Sequence, residues 1–266
     1  MLKLKNFLVM TFMITACLLL FSQELWAAAD EWEYEFTPYV WFIDLESTVG
    51  IEDRTLPEST IDFDDLIDIV DAAWMSYFEA RKGRWGFSNE IIYLKLSEDS
   101  TTTIVGDRRG IPVQLTGKLE FEGTEFMSDF AIFYMPEQIP YTTFYGGLRY
   151  HNVDLDVSLT GSLTIGAITI NRKPSGSTGE DWWDPFIGVR LAVPFKEKWH
   201  ALAKVDTTIG INGEYTYMGT AVFSYDVAEM YSVKFGYRYL QIKYDENDFF
   251  FDQTVKGPML GVGIKF

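Results

Sequence analysis

Cysteine occurs once in the 266 residues, at Cys17, and histidine twice, at His151 and His200. With no second cysteine, an internal disulfide and a multi-thiolate metal site are excluded. Two histidines leave little for a His-based metal centre, and no Gly-rich phosphate loop or His/Glu metal motif is found. No cofactor is therefore expected. Basic residues are also scarce: 22 Lys and Arg stand against 39 Asp and Glu, for a formal net charge of −17. Nucleic-acid binding needs a basic footprint, so nucleic acid is excluded as a partner. Beyond residue 29 no run of about 18 apolar residues occurs, which excludes helical membrane spans.

What the chain has in abundance is aromatic side chains, 17% of its residues, with 21 Phe, 15 Tyr and 8 Trp. That content suits a membrane barrel with aromatic girdles at both interfaces. The N-terminus carries the basic Lys3 and Lys5, an apolar run from Phe7 to Phe21, and Ala27-Ala28-Ala29. This is the layout of a secretory signal peptide over residues 1–29, with cleavage expected after Ala29. An uncleaved anchor fits less well because the apolar run is short. A lipobox at Ile14-Thr15-Ala16-Cys17 fits less well because the run continues past Cys17. Residues 30–266 then form one domain, with no linker dividing them.

Alternation of apolar and polar residues predicts ten strands, near 32–45, 73–82, 85–97, 113–135, 141–160, 182–194, 199–210, 215–225, 231–244 and 254–266. Eight or twelve strands are the alternatives. The clearest runs Tyr231-Ser232-Val233-Lys234-Phe235-Gly236-Tyr237-Arg238-Tyr239, apolar at every odd position. Trp183, Ile187, Leu191 and Val193 give a second outward row. The expected fold is all-β, an antiparallel up-and-down transmembrane barrel with apolar residues outside. Tight connections at 82–84, 136–140, 196–198 and 226–230 alternate with longer ones at 46–72, 98–112, 161–181 and 245–253, the asymmetry of short periplasmic turns and long outer loops. Val153, Leu155, Val157 and Leu159 read as lipid-facing, yet Arg149 and His151 share their parity. Either a β-bulge resets the facing or the polar pair sits at the membrane edge. A similar change of parity falls at Tyr239 and Leu240.

On this reading thirteen charged residues line the lumen: Glu79, Arg81, Lys118, Glu120, Glu122, Asp129, Asp154, Asp156, Arg190, Lys204, Asp206, Lys234 and Arg238. Both signs are present, which fits a narrow aqueous pore or a salt-bridged plug equally. Residues 61–71 have helical spacing, with Phe63, Leu66, Ile67 and Val70 on one stripe, and Asp62 or Asp64 as a cap. This helix is expected in the first outer loop, folded over the mouth. Its five aspartates lack the Gly and Glu of an EF-hand and read as a solvated face, so no metal is expected.

The C-terminal strand Leu260-Gly261-Val262-Gly263-Ile264-Lys265-Phe266 resembles the closing strand of bacterial outer-membrane barrels. That resemblance implies that Leu260, Val262, Ile264 and Phe266 form the signal read by the barrel-assembly machinery. Thr37-Pro38-Tyr39-Val40-Trp41, Phe63-Asp64-Asp65-Leu66-Ile67 and Phe78-Glu79-Ala80-Arg81-Lys82-Gly83-Arg84-Trp85-Gly86-Phe87 resemble a family of uncharacterised Gram-negative, porin-like small barrels. The resemblance implies an outer-membrane location, with membrane lipid and lipopolysaccharide as neighbours, and brings no catalytic residues. The His-x-Ser pattern of lipid A deacylases would need serine at position 153, which is Val153. The expectation is a non-enzymatic barrel, a narrow pore or a structural or surface-interaction protein. The alternative is a lipid-modifying hydrolase or acyltransferase centred on His151.

Overall fold

The computed structural model describes residues 31–266 apart from 52–53, 56–58, 109–110, 166–167, 174, 210–214 and 247–248. The expected signal peptide lies outside the described residues. The elements are β1 (Glu33–Trp41), β2 (Asp44–Ile51), β3 (Arg54–Thr55), β4 (Ser59–Ile61), helix α1 (Phe63–Ile69), β5 (Val70–Lys82), β6 (Trp85–Arg108), β7 (Ile111–Tyr134), β8 (Thr142–Ile165), β9 (Ile168–Arg172), β10 (Ser175–Lys196), β11 (Trp199–Thr208), β12 (Tyr215–Asp226), β13 (Tyr231–Glu246) and β14 (Phe249–Lys265).

All pairings are antiparallel, and the sheet closes because β14 pairs with both β1 and β2. Trp41 faces Met259 and Asp44 faces Lys256, so two residues lie between these pairs on each strand. β1 and β2 are therefore two halves of one stave, interrupted at Phe42 and Ile43. Opposite the break is Gly257, at φ +156°, where a Cβ would stand 1.8 Å from the Phe42 carbonyl oxygen. Glycine lets the closing strand pass this point. The ring is then β1/β2, β5, β6, β7, β8, β10, β11, β12, β13 and β14, ten staves as alternation predicts.

One end carries the tight connections. Gly83 turns at φ +59°, and residues 135–141, 197–198 and 227–230 make the others. The chain's described start lies at this turn end, where Tyr34 N–H donates to the Phe266 carbonyl at 3.0 Å. The opposite end corrects the expectation of long loops. Much of 98–112 and 161–181 continues the ladder instead, so that β6, β7 and β8 each reach 24 residues. A strand needs about 9–11 residues to cross a bilayer, so more than half of each stands beyond one crossing.

Helix α1 forms where the spacing predicts, with Asp62 as N-cap, although no side-chain cap bond is made there. The Phe63 amide is met by the Asp44 carboxylate at 3.2 Å, a partner from β2 that local sequence does not reveal. Leu66 is buried in the lumenal apolar cluster, which pins the helix over the mouth.

Candidate functional site: the filled lumen

Pleating sends alternate residues of each stave to opposite faces. Val40, Phe130, Ile132, Phe144, Leu148, Trp183, Ile187, Leu191, Val205, Phe223, Phe235, Tyr237, Leu260 and Val262 are exposed on the outer face. Ile264 shares their side but is buried between its register partners Phe36 and Tyr231, while Phe266 stacks on Tyr34 at 5.5 Å. The opposite residues fill the interior in two layers.

The layer nearer the turns is charged. Arg149, fully buried, reaches Asp129 through Nε and Nη2, both at 2.7 Å, and Asp206 through Nη2 at 2.9 Å. Tyr145 donates to Asp206 at 2.9 Å, and the guanidinium lies 4.8 Å from the Phe186 ring centre. Glu90 accepts from Arg238 at 2.5 Å and from Tyr39 at 2.8 Å, with Lys204 at 3.4 Å. Further toward the turns Arg190 pairs with Glu79, Lys234 with Glu35, and Arg81 with Glu33. Charges withdrawn from water are tolerated when paired and hydrogen-bonded, and these are.

The layer nearer the mouth is apolar. Trp41, Ile43, Leu45, Met75, Ile92, Leu94, Leu96, Met127, Val153, Met218, Leu240, Ile242 and Phe251 pack there with Leu66 of α1. Trp182 stacks on Tyr244 at 4.2 Å and on His151 at 4.7 Å, and its Nε1 donates to Asp184 at 3.1 Å. His151 sits at the boundary of the two layers. Its Nε2 has no hydrogen-bond partner and lies 4.0 Å from Asp184, beyond hydrogen-bond length.

Eight of the thirteen predicted lumenal charges face inward: Glu79, Arg81, Asp129, Arg190, Lys204, Asp206, Lys234 and Arg238. Five do not. Lys118, Glu120 and Glu122 share the parity of the outward Phe130 and Ile132, and Asp154 and Asp156 that of the outward Phe144 and Leu148. All five stand on the outer face of the strand extensions, where Lys118 bridges Glu120 at 2.6 Å and Asp99 at 3.6 Å. The ladders through β7 and β8 run without a register shift, so neither strand contains the bulge that the predicted facing required. Val153 and Leu155 consequently point inward with Arg149 and His151. The same holds in β13, where even positions stay inward while the lumen turns from polar to apolar between Arg238 and Leu240.

Sequence reading missed Glu90, Arg149, Tyr145 and Glu35. Glu90 falls in step with the inward Ile92 and Leu94, and Arg149 out of step with the outward Leu148, so parity carried the signal.

A closed antiparallel barrel with an apolar exterior and a charged, internally paired lumen is a transmembrane β-barrel. No protein-family model matches the chain, and no curated protein matches it in sequence. Among solved structures it is similar to the outer membrane protease OmpT from Escherichia coli, with a TM-score of 0.49 and 10% identity over 91% of this chain and 99% of that one. It is also similar to the translocator domain of the autotransporter NalP from Neisseria meningitidis, with a TM-score of 0.37 and 11% identity over 99% and 98% of the two chains. A third is Ail, the attachment invasion locus protein of Yersinia pestis, at a TM-score of 0.30 and 11% identity over 88% and 98%.

Proposed function

We propose that this is a non-enzymatic barrel of the bacterial outer membrane, closed along its axis, with a structural or surface-interaction role rather than that of an open pore. The observation that carries this reading is the apolar plug of Trp182, Tyr244, Phe251 and Leu66 across the mouth side of the lumen. Ions do not cross a dry apolar layer without a large desolvation cost. Purified protein refolded into planar bilayers is expected to give no unitary current steps. Steady steps at moderate voltage would return the narrow pore to first place.

The surface role is supported by the extensions of β6, β7, β8 and β10. Their outer face is polar, with Thr103, Thr116, Lys118 and Glu120, while Ile104, Leu115, Leu119 and Leu159 are exposed on the inner one. Outer-membrane lipid, lipopolysaccharide and the barrel-assembly machinery are the partners this location entails. A lipid-modifying reaction at His151 is not favoured, because the ring is buried and no hydroxyl is bonded to its Nε2.

In this reading the turn end faces the periplasm. Cysteines introduced at Ser47 and Gly176 are expected to react with a membrane-impermeant maleimide on intact cells. Cysteines at Gly83 and Glu197 react only after the outer membrane is opened. The single native thiol, Cys17, lies in the expected signal peptide, and the unsubstituted protein serves as the labelling control. Labelling of Gly83 but not Gly176 on intact cells would invert the topology.

A further inference from the structure

Between the buried Glu90 layer and the turns lies a cavity of about 90 Å3. A single water needs roughly 10–15 Å3 by this measure, so the space admits a small oxyanion with its hydration. Four cations line it, Arg190, Lys204, Lys234 and Arg238. Three carboxylates pair with them: Glu79 with Arg190, Glu35 with Lys234, and Glu90 with both Arg238 and Lys204. The cations lining the chamber thus outnumber their carboxylates by one, while the adjoining layer, with Arg149 alone for Asp129 and Asp206, carries the opposite excess. Asp206, two residues along from Lys204, is already engaged by Arg149 and Tyr145.

The excess falls on Lys204. Its ammonium is 3.4 Å from Glu90 Oε2, while Glu90 Oε1 already takes Arg238 and Tyr39 at shorter range. Otherwise it lies over the rings of Tyr145, at 5.1 Å, and Tyr77, at 5.8 Å. Across the cavity the Nε of Arg190 is buried without a hydrogen-bond partner. A chamber with a half-satisfied ammonium and an unused, buried guanidinium donor favours an anion. Access is graded: side-chain exposure rises from 4% at Arg238 through 15% at Lys204 and 22% at Lys234 to 38% at Arg81, at the turn end. The opposite direction is blocked by the apolar plug.

We propose that this blind chamber binds a small oxyanion, a phosphate or a carboxylate, entering from the turn end and held between Lys204 Nζ and the Arg190 guanidinium. The ion is either free or the end group of a larger molecule; the shared chemistry is one compact negative charge.

The test titrates inorganic phosphate and acetate separately into the refolded full barrel in neutral detergent by calorimetry, at constant ionic strength. Wild type is expected to bind one anion per chain. Lys204→Met should weaken binding at least about tenfold, Lys204→Arg should retain it, and Lys118→Met, which alters an outer-face pair with Glu120, should leave it unchanged. Strand circular dichroism and heat-modifiable gel mobility establish that each variant is folded. If Lys204→Met does not fold, wild type decides: phosphate or acetate must raise its urea midpoint where chloride at equal ionic strength does not. Binding of only one of the two anions supports the site and names its class. No binding of either by wild type, or equal binding by folded Lys204→Met, overturns the proposal.

Discussion

Arg149→Met is expected to destabilise the folded barrel by about 3–5 kcal/mol, the cost of leaving buried charge without its partner. Both carboxylates that Arg149 holds are themselves buried, Asp129 and Asp206, and no other cation is within 4.0 Å of either among the described residues. The methionine fills much of the same volume, so the loss reports charge rather than packing. Urea-dependent refolding into phospholipid vesicles, followed by heat-modifiable mobility, measures it. The triple variant Asp129→Asn, Arg149→Met, Asp206→Asn should recover most of the stability, because neutral groups need no counter-charge. A loss below about 1 kcal/mol for Arg149→Met would mean that water reaches this layer and screens it.

Trp182→Ala is expected to cost about as much, roughly 3–5 kcal/mol for an aromatic removed from a packed interior. It also carries a chemical readout. Wild-type protein has two histidines, His200 half-buried beside Asp226 and His151 fully buried beneath the indole. Diethyl pyrocarbonate should modify one rapidly in wild type and both in Trp182→Ala, while Trp182→Phe, which keeps a ring over the imidazole, leaves His151 protected. Rapid modification of both in wild type would show that the apolar layer admits water, and with it the closed-barrel reading would fall.

The number of staves was legible in the sequence because lipid imposes alternation on every crossing strand. Trp183 to Val193 and Tyr231 to Tyr239 announce their outward rows directly. Facing failed where the strands leave that constraint. Beyond one membrane thickness the outer side is free to be polar, so Asp154 and Asp156 point outward while Val153 and Leu155 point inward to the plug. An observer who expects apolar residues to face lipid inverts the strand there. The charged core was partly visible, but its pairings join strands far apart in the chain. Arg238 meets Glu90 across 148 positions and Lys234 meets Glu35 across 199. Only closure of the ring brings them together, and no local pattern encodes who will face whom. The plug was hidden for a related reason: a barrel of this girth can be filled with apolar groups as well as with charged ones, and Leu240, Ile242 and Tyr244 continue an inward row that began with Lys234 and Arg238.

The staves are unequal. β6, β7 and β8 run to 24 residues each, β11 and β12 to 10 and 12. At about 3.3 Å per residue the first three are some 80 Å long and the last two between 30 and 40 Å. In the ring of ten, β12 stands directly across from β6. The rim is therefore stepped like a high-backed chair, its seat level with the short staves and its back formed by the tall ones. On the low side the inner face of the tall staves, with Leu119 and Leu159 exposed on it, is therefore open laterally as well as from above.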